Sequence, residues 1–184
     1  MLSALVIGSA DGCFEEAQEA LKLWGDGEPD AIAVLNDSFP RWPGRVDYLP
    51  TLHAENVEGW LMAREQAGYS MGAQVWSYHR THDGRLPGAH IYPLVKHIAS
   101  DWAGSSGLYA VRVLLLEKFE RIVLAGVPME SKAGHILRKK PWTGAEGFRN
   151  GWKHRLPEIK NKVRSCSGWT QGLLGAPTAE WISV

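Results

Sequence analysis

The chain has 184 residues, 45% of them hydrophobic, which is enough for one domain with a sizeable core and hardly enough for two. Twenty basic and twenty acidic side chains cancel, which argues against general nucleic-acid binding and against attraction to an anionic membrane. The two cysteines, Cys13 and Cys166, show no metal-ligand spacing, and no apolar run reaches the length of a signal peptide or membrane span, so a cytoplasmic protein without a disulfide framework is expected.

In chain order, "SALVIGS" reads as a strand closed by Gly8 and Ser9. "FEEAQEALKLW" follows as a helix, with Phe14, Ala17, Leu21 and Trp24 at helical spacing. "DAIAVLND" is a second buried strand whose polar residues, Asn36 and Asp37, collect at its carboxyl end. The prolines and glycine of "SFPRWPGR" predict a loop before "VDYLPTLH", a third strand with His53 near its exit. "AENVEGWLMAREQAG" places Val57, Trp60, Leu61 and Arg64 along one side of a helix, and "AQVWSYH" gives a fourth strand. Residues 79 to 104 have no clean period and are expected to form a mobile or ligand-covering loop. A helix from about Leu108 to Lys118 then leads to "RIVLAGV", the clearest strand because it is β-branched and sharply bounded. Beyond Met129 the chain is polar and basic, with a last short strand, turn and helical turn expected in "VRSCSGWTQGLLG".

This alternation predicts an α/β fold: a single Rossmann-like domain over 1–184, a three-layer sandwich with a mostly parallel sheet. Its core spans about 3–130, followed by a basic extension over about 131–184. Ligands in such sheets bind outside the carboxyl ends of the strands, which selects the residues to weigh. Gly8 and Ser9 end the first strand, where glycine admits close approach and helix amides hold anions, although "GSADGC" is neither GxGxxG nor a phosphate loop with its lysine. Asn36 and Asp37 suit ribose hydroxyls or a base edge, and equally suit turn and capping chemistry. His53 is a candidate acid or base, with capping or packing as the plainer explanation. Ser105, Ser106 and Gly107 offer hydroxyls and amides ahead of a helix, a pattern for phosphate that an ordinary N-cap also explains with one serine.

The cations Lys132, His135, Arg138, Lys139 and Lys140 follow the clearest strand and are placed to neutralise a diphosphate, or simply to solvate a face. Arg164 and the "SCSGWT" turn have the same two readings. His79, His82, His90 and His97 are irregularly spaced and lack an acidic or cysteine partner motif, so no metal site is expected. Nine tryptophans are many for this length. At loop sites such as Trp42, Trp142, Trp152 and Trp169 they can stack on a base or sugar, or form an interface such as a homo-oligomer requires.

Together "LVIGSA", "LND", "DYLPTLH", "SSGLYAVRVLL" and "RIVLAGVPM", spanning roughly residues 3 to 130, resemble the Rossmann-like domain of 6-hydroxymethylpterin pyrophosphokinase-like proteins, motility-associated glycosyltransferases and bacterial sialyltransferases. That group shows Gly-Asn-Gly-Pro-Ser at the first turn where this chain has Gly8 to Gly12 as Gly-Ser-Ala-Asp-Gly, and an acidic residue where this chain has Gly126-Val127-Pro128. The resemblance implies a nucleotide or nucleotide-sugar bound by Gly8, Ser9, Asn36, Ser105, Ser106 and Gly107. The compact length and the tail also resemble small proteins of phage and prophage genomes. Three functions follow as expectations. The first is a glycosyl- or pyrophosphoryl-transferase using a nucleotide donor, with Lys132 and Arg138 on the leaving group and His53 or Asp37 as acid or base. The second is a nucleoside deoxyribosyltransferase-like enzyme with Glu130 or Asp37 as nucleophile. The third is a binding or assembly module that keeps the fold without the chemistry.

Overall fold

The computed structural model describes residues 1–77, 96–97, 105–138 and 140–184. Seven strands form one sheet: β1 (Ser3–Ile7), β2 (Ala31–Val34), β3 (Tyr48–Thr51), β4 (Gln74–Ser77), β5 (Lys96–His97), β6 (Arg121–Ala125) and β7 (Val163–Ser165). Their spatial order is β5-β4-β3-β2-β1-β6-β7, and every neighbouring pair is parallel. Parallel neighbours need crossovers, and the helices supply them: α1 (Cys13–Leu21), α2 (Val57–Gln66), α3 (Ser106–Leu116) and α4 (Arg149–Ile159), followed by α5 (Gly168–Leu174) and α6 (Ala179–Ser183).

Side-chain alternation along the central strands divides the core in two. Leu5, Ile7, Ile32, Val34, Val123 and Ala125 pack against α1 and α2, while Ala4, Val6, Ala31, Ala33, Ile122 and Leu124 pack against α3 and α4. Strands covered on both faces read as continuous apolar runs, which is why "SALVI", "AIAV" and "RIVLA" stand out. The fold is an α/β Rossmann-like three-layer sandwich. No helix among the described residues is long and apolar enough to cross a membrane.

The residues beyond 130 are not an appendage, because β7 extends the sheet and α4 buries Trp152 and Ile159 in the second core. The ligand-covering loop expected over 79–104 lies outside the described residues except for β5, whose two residues carry no readable period. From β1 the chain winds outward to β5, then crosses back to β6 on the opposite side of β1. The exits of β1 and β6 therefore flank the topological switch point, where open α/β sheets form a crevice.

Cys13 and Cys166 are both free thiols. Burial pushes Cys13 up to about 11 and Cys166 up to about 12 from an ordinary 9, with the nearby Glu16 carboxylate adding to both. The unfolded chain thus releases these protons at a lower pH than the folded one. Their stabilising contribution is complete below about pH 9 and is lost as pH rises through 11 to 12. For Cys13 the loss is on the order of 2–3 kcal/mol. Urea midpoints measured from pH 8 to 12 should fall over that window, and should fall less steeply in Cys13→Ala.

Candidate functional site

A cleft of about 550 Å³ opens at the carboxyl edge of the sheet. Its walls come from turns far apart in sequence: Gly8 and Ser9 after β1, Asn36 and Asp37 after β2, His53 after β3, Ser105 to Gly107 at the start of α3, and Gly126 to Glu130 after β6. Gly134, His135, Arg138, Lys140 and Trp142 close it from the side of the following segment. Of Gly8, Ser9, Asn36, Asp37, His53, Ser105, Ser106, Gly107, Lys132 and Arg138, only Lys132 is missing from this lining.

Backbone packing fixes the floor. Gly8 N–H donates to the Ala125 carbonyl at 2.8 Å and Ala10 N–H to the Gly126 carbonyl at 3.2 Å, so the exits of β1 and β6 touch. A Cβ on Gly8 would overlap the Gly126 carbonyl, so glycine here serves strand-to-strand approach as well as bordering the cleft. Gly126 has φ 67°, and its N–H donates to Glu16 Oε2 of α1 at 2.6 Å. The next carbonyls are also held: Val127 by the Thr170 hydroxyl, Pro128 by Trp169 N–H, and Met129 by Arg149 Nε. The "SCSGWT" turn therefore fixes the β6 exit and contributes no residue to the cleft lining. Arg164 bonds the Lys160 and Val163 carbonyls and lies over Trp181, also away from the lining.

Asn36 joins three turns. It adopts φ 46°, a left-handed conformation that asparagine tolerates better than most residues. Its Nδ2 donates to Ser106 Oγ at 3.1 Å and its Oδ1 accepts from the Thr51 hydroxyl at 2.9 Å. Thr51 in turn accepts from His53 N–H at 2.9 Å. The exits of β2 and β3 and the first turn of α3 are thereby held in one chain of hydrogen bonds. Ser9 is engaged as well, donating to the Leu35 carbonyl at 3.1 Å and accepting from Ser38.

The two serines before α3 divide their work. Ser105 is the N-cap: its Oγ accepts from Leu108 N–H at 3.2 Å and from the buried Trp152 Nε1 at 3.1 Å. Ser105 Oγ, expected to meet a ligand, borders the cleft and already accepts from the cap amide and the indole. Replacing it with alanine removes the cap and strands the Trp152 N–H, for a loss of roughly 2–3 kcal/mol. A denaturant midpoint shift of that size with no change in helix content would check it. Ser106 and Gly107 are the first two helical residues of α3, and their backbone N–H groups have no hydrogen-bond partner among the described residues. Gly107 is required by packing, since a Cβ would lie 2.6 Å from Val127 Cγ1.

The segment after β6 folds back over the sheet edge. Ile136 N–H donates to the Ser9 carbonyl at 2.9 Å and Trp142 N–H to the Ser131 carbonyl at 2.8 Å. His135 Nε2 lies 3.6 Å from Asp37 Oδ2, while its Nδ1 accepts from Leu137 N–H at 3.3 Å, an arrangement that puts the ring proton on Nε2, facing the carboxylate. Trp60 Nε1 of α2 donates to the other oxygen, Asp37 Oδ1, at 2.9 Å. Asp37 is held from both sides. Arg138 and Lys140 line the cleft with no acidic partner among the described residues.

Other expectations need correction. The Lys132 side chain is 85% exposed, lies outside the lining and pairs with Glu130 at 3.6 Å. His53, expected as an acid or base, borders the cleft with its ring exposed and 3.2 Å from Glu55. Trp42 and Trp152 are buried core residues and Trp169 is partly buried under Arg149, because the loop-like sequence around them folds onto the sheet. Trp142 alone of the four is exposed, and it lines the cleft. His79, His82 and His90 lie outside the described residues, and nothing is described of the His97 side chain. Lys139 is also outside them. Among the described residues no group of three or more histidines, cysteines or carboxylates is gathered.

The roles of Trp60, Thr51 and His135 were missed by pattern alone. Trp60 lay on the apolar stripe of its helix and gave no sign that its N–H reaches Asp37. Fold and cleft define an α/β protein with an open crevice at its switch point. Against known protein families, curated proteins and solved structures, the chain finds no match.

Proposed function

We propose that this cleft binds a nucleotide or nucleotide-sugar through its phosphate groups, and that the protein is a transferase acting on that donor. One observation carries the reading. Unpartnered helix amides at Ser106 and Gly107 share a cleft with Arg138 and Lys140, whose charges no acidic side chain among the described residues offsets. The cleft acids are already engaged, Asp37 with Trp60 and His135, and Glu130 with Lys132. Arg138 and Lys140 are thus the charged groups of the lining left without a partner among the described residues. An anion seated there receives backbone N–H donors, the helix dipole and cations together.

In glycosyl or pyrophosphoryl transfer, charge builds on the departing phosphate, and prearranged donors that need no reorganisation supply the main stabilisation. Arg138 and Lys140 fit that role. Asp37, oriented by Trp60 and His135, is the carboxylate placed to take a proton from an acceptor hydroxyl. Asp37 and Glu130 together also support a second reading, attack by a carboxylate at an N-glycosidic bond, because both border the same cavity. Asp37→Asn and Glu130→Gln separate the two: loss of nucleoside cleavage in either variant favours the second.

Ser106→Pro is the informative binding variant. Proline is well accepted at the first helical position, and Ser105 already has the extended backbone (φ −108°, ψ 151°) that a following proline demands. The substitution leaves α3 intact but removes one amide donor together with the hydroxyl that accepts from Asn36 Nδ2, so Ser106→Ala, which loses the hydroxyl alone, is its control. A panel of adenosine, uridine and cytidine diphosphates should raise the melting temperature of the native chain. At one hundred times the dissociation constant the stabilisation is about 2.7 kcal/mol. In Ser106→Pro the affinity should fall roughly tenfold. No shift with any nucleotide would favour the binding or assembly module instead.

A further inference from the structure

We infer that Trp142, backed by Phe148, is the platform on which the base of the bound nucleotide stacks, an inference that rests on the nucleotide reading of the cleft. Seven large apolar side chains are exposed among the described residues, and two of them, Leu137 and Trp142, lie on the cleft. Trp142 is 41% exposed. Unlike a lone exposed side chain, it adjoins Leu137, Pro141 and Phe148 on the cleft wall, an apolar patch of the kind that marks ligand-binding grooves.

The indole is held in place. Its ring packs against Phe148 at 5.6 Å between centroids with a 34° tilt, and the backbone of Trp142 is tied to Ser131. Gly144 lets the chain pass close to the ring, since a Cβ there would lie 3.2 Å from Trp142 Nε1. Ordering of this kind is what a stacking surface needs, because a ring that must first be immobilised gives up part of its gain. Leu137 and Pro141 border the same part of the chain and also line the cleft.

These neighbours are apolar, which decides between the two rings a nucleotide-sugar offers. A sugar presents hydroxyls that need side-chain partners, whereas a base presents a π face that aromatic and aliphatic groups suit. The cations Arg138 and Lys140 flank Trp142 in sequence and line the cleft with it, so base and phosphate are received by one short segment. Recognition by a face rather than an edge tolerates different bases, and purines, with the larger face, bind more tightly.

Titration calorimetry with adenosine diphosphate, uridine diphosphate and inorganic pyrophosphate tests this on the native chain, Trp142→Ala and Trp142→Phe. The expected result is a roughly tenfold or greater loss of adenosine diphosphate affinity in Trp142→Ala, recovery to within about threefold in Trp142→Phe, and pyrophosphate affinity within about twofold in all three. Unchanged nucleotide affinity in Trp142→Ala overturns the platform and leaves the nucleotide site standing. An equal loss of nucleotide and pyrophosphate also overturns it, since the ring would then act on the anion. A native chain that binds pyrophosphate and no nucleotide refutes the platform while keeping an anion site. A native chain that binds neither refutes the reading of the cleft itself.

Discussion

Replacing Arg64 with alanine is expected to lower stability by about 3–5 kcal/mol and to leave a fraction of the chain unfolded at room temperature. The guanidinium is fully buried, yet no carboxylate meets it. It donates instead to the backbone carbonyls of Phe39, Trp42, Gly44 and Ser70, at 2.6 to 2.9 Å, and lies over the rings of Phe39 and Tyr69. Burial works against its charge and lowers its pKa from the usual arginine range. Four carbonyls and two aromatic faces offset that cost. Removing the side chain leaves the Phe39 and Trp42 carbonyls buried without donors and opens a cavity. Arg64→Lys retains the charge but cannot reach the same spread of acceptors, so it should recover less than half of the loss. Guanidinium chloride unfolding of the three proteins checks both statements. A loss under 1 kcal/mol in Arg64→Ala would mean that the loop does not depend on this side chain.

The consequence reaches the cleft, because the loop that Arg64 holds follows Asp37 directly. Trp60, which orients Asp37, is on the same helix one turn earlier. At permissive temperature Arg64→Ala should therefore weaken ligand binding as well as folding.

Gly8→Ala is the second large effect, with an expected loss of about 3–4 kcal/mol. The added Cβ would meet the carbonyl of Gly126, which is backbone and cannot rotate away. The β1 and β6 exits would have to separate, breaking the Gly8 to Ala125 bond and displacing the Gly126 N–H from Glu16. Those exits form the floor of the crevice. Calorimetric melting together with nucleotide titration should show both properties reduced. Native stability in Gly8→Ala would show that the two exits do not approach as closely as the geometry requires.

Much of the fold could be read from residues, and the reasons are specific. β1, β2 and β6 are buried on both faces, so their apolar runs are continuous and conspicuous. Arg64 already fell on the buried stripe of α2, although only the structure shows that its partners are carbonyls. β3 was harder: it contains Pro50, which the sheet accepts because pairing with β2 extends only to Tyr48. β5 was hidden by its length.

The convergence of Gly8, Asn36, Ser106 and Arg138 on one cavity followed from the rule for parallel sheets once strand ends were located. Which hydroxyl caps and which faces the cleft did not follow. Ser105 and Ser106 are chemically alike, and a single Trp152 N–H from another helix separates their roles. That His135 reaches Asp37 did not follow either. The return of residues 131–142 over the sheet edge is fixed by backbone bonds, Ile136 to Ser9 and Trp142 to Ser131, and any side chain could occupy those positions.

The most direct measurement is a crystal structure of the chain soaked with adenosine, uridine and cytidine diphosphates. Phosphate oxygens are expected within hydrogen-bond distance of the Ser106 and Gly107 amides, with Arg138 or Lys140 drawn onto the same group. Phosphate bound elsewhere on the surface, with those amides facing only water at saturating ligand, would contradict that expectation.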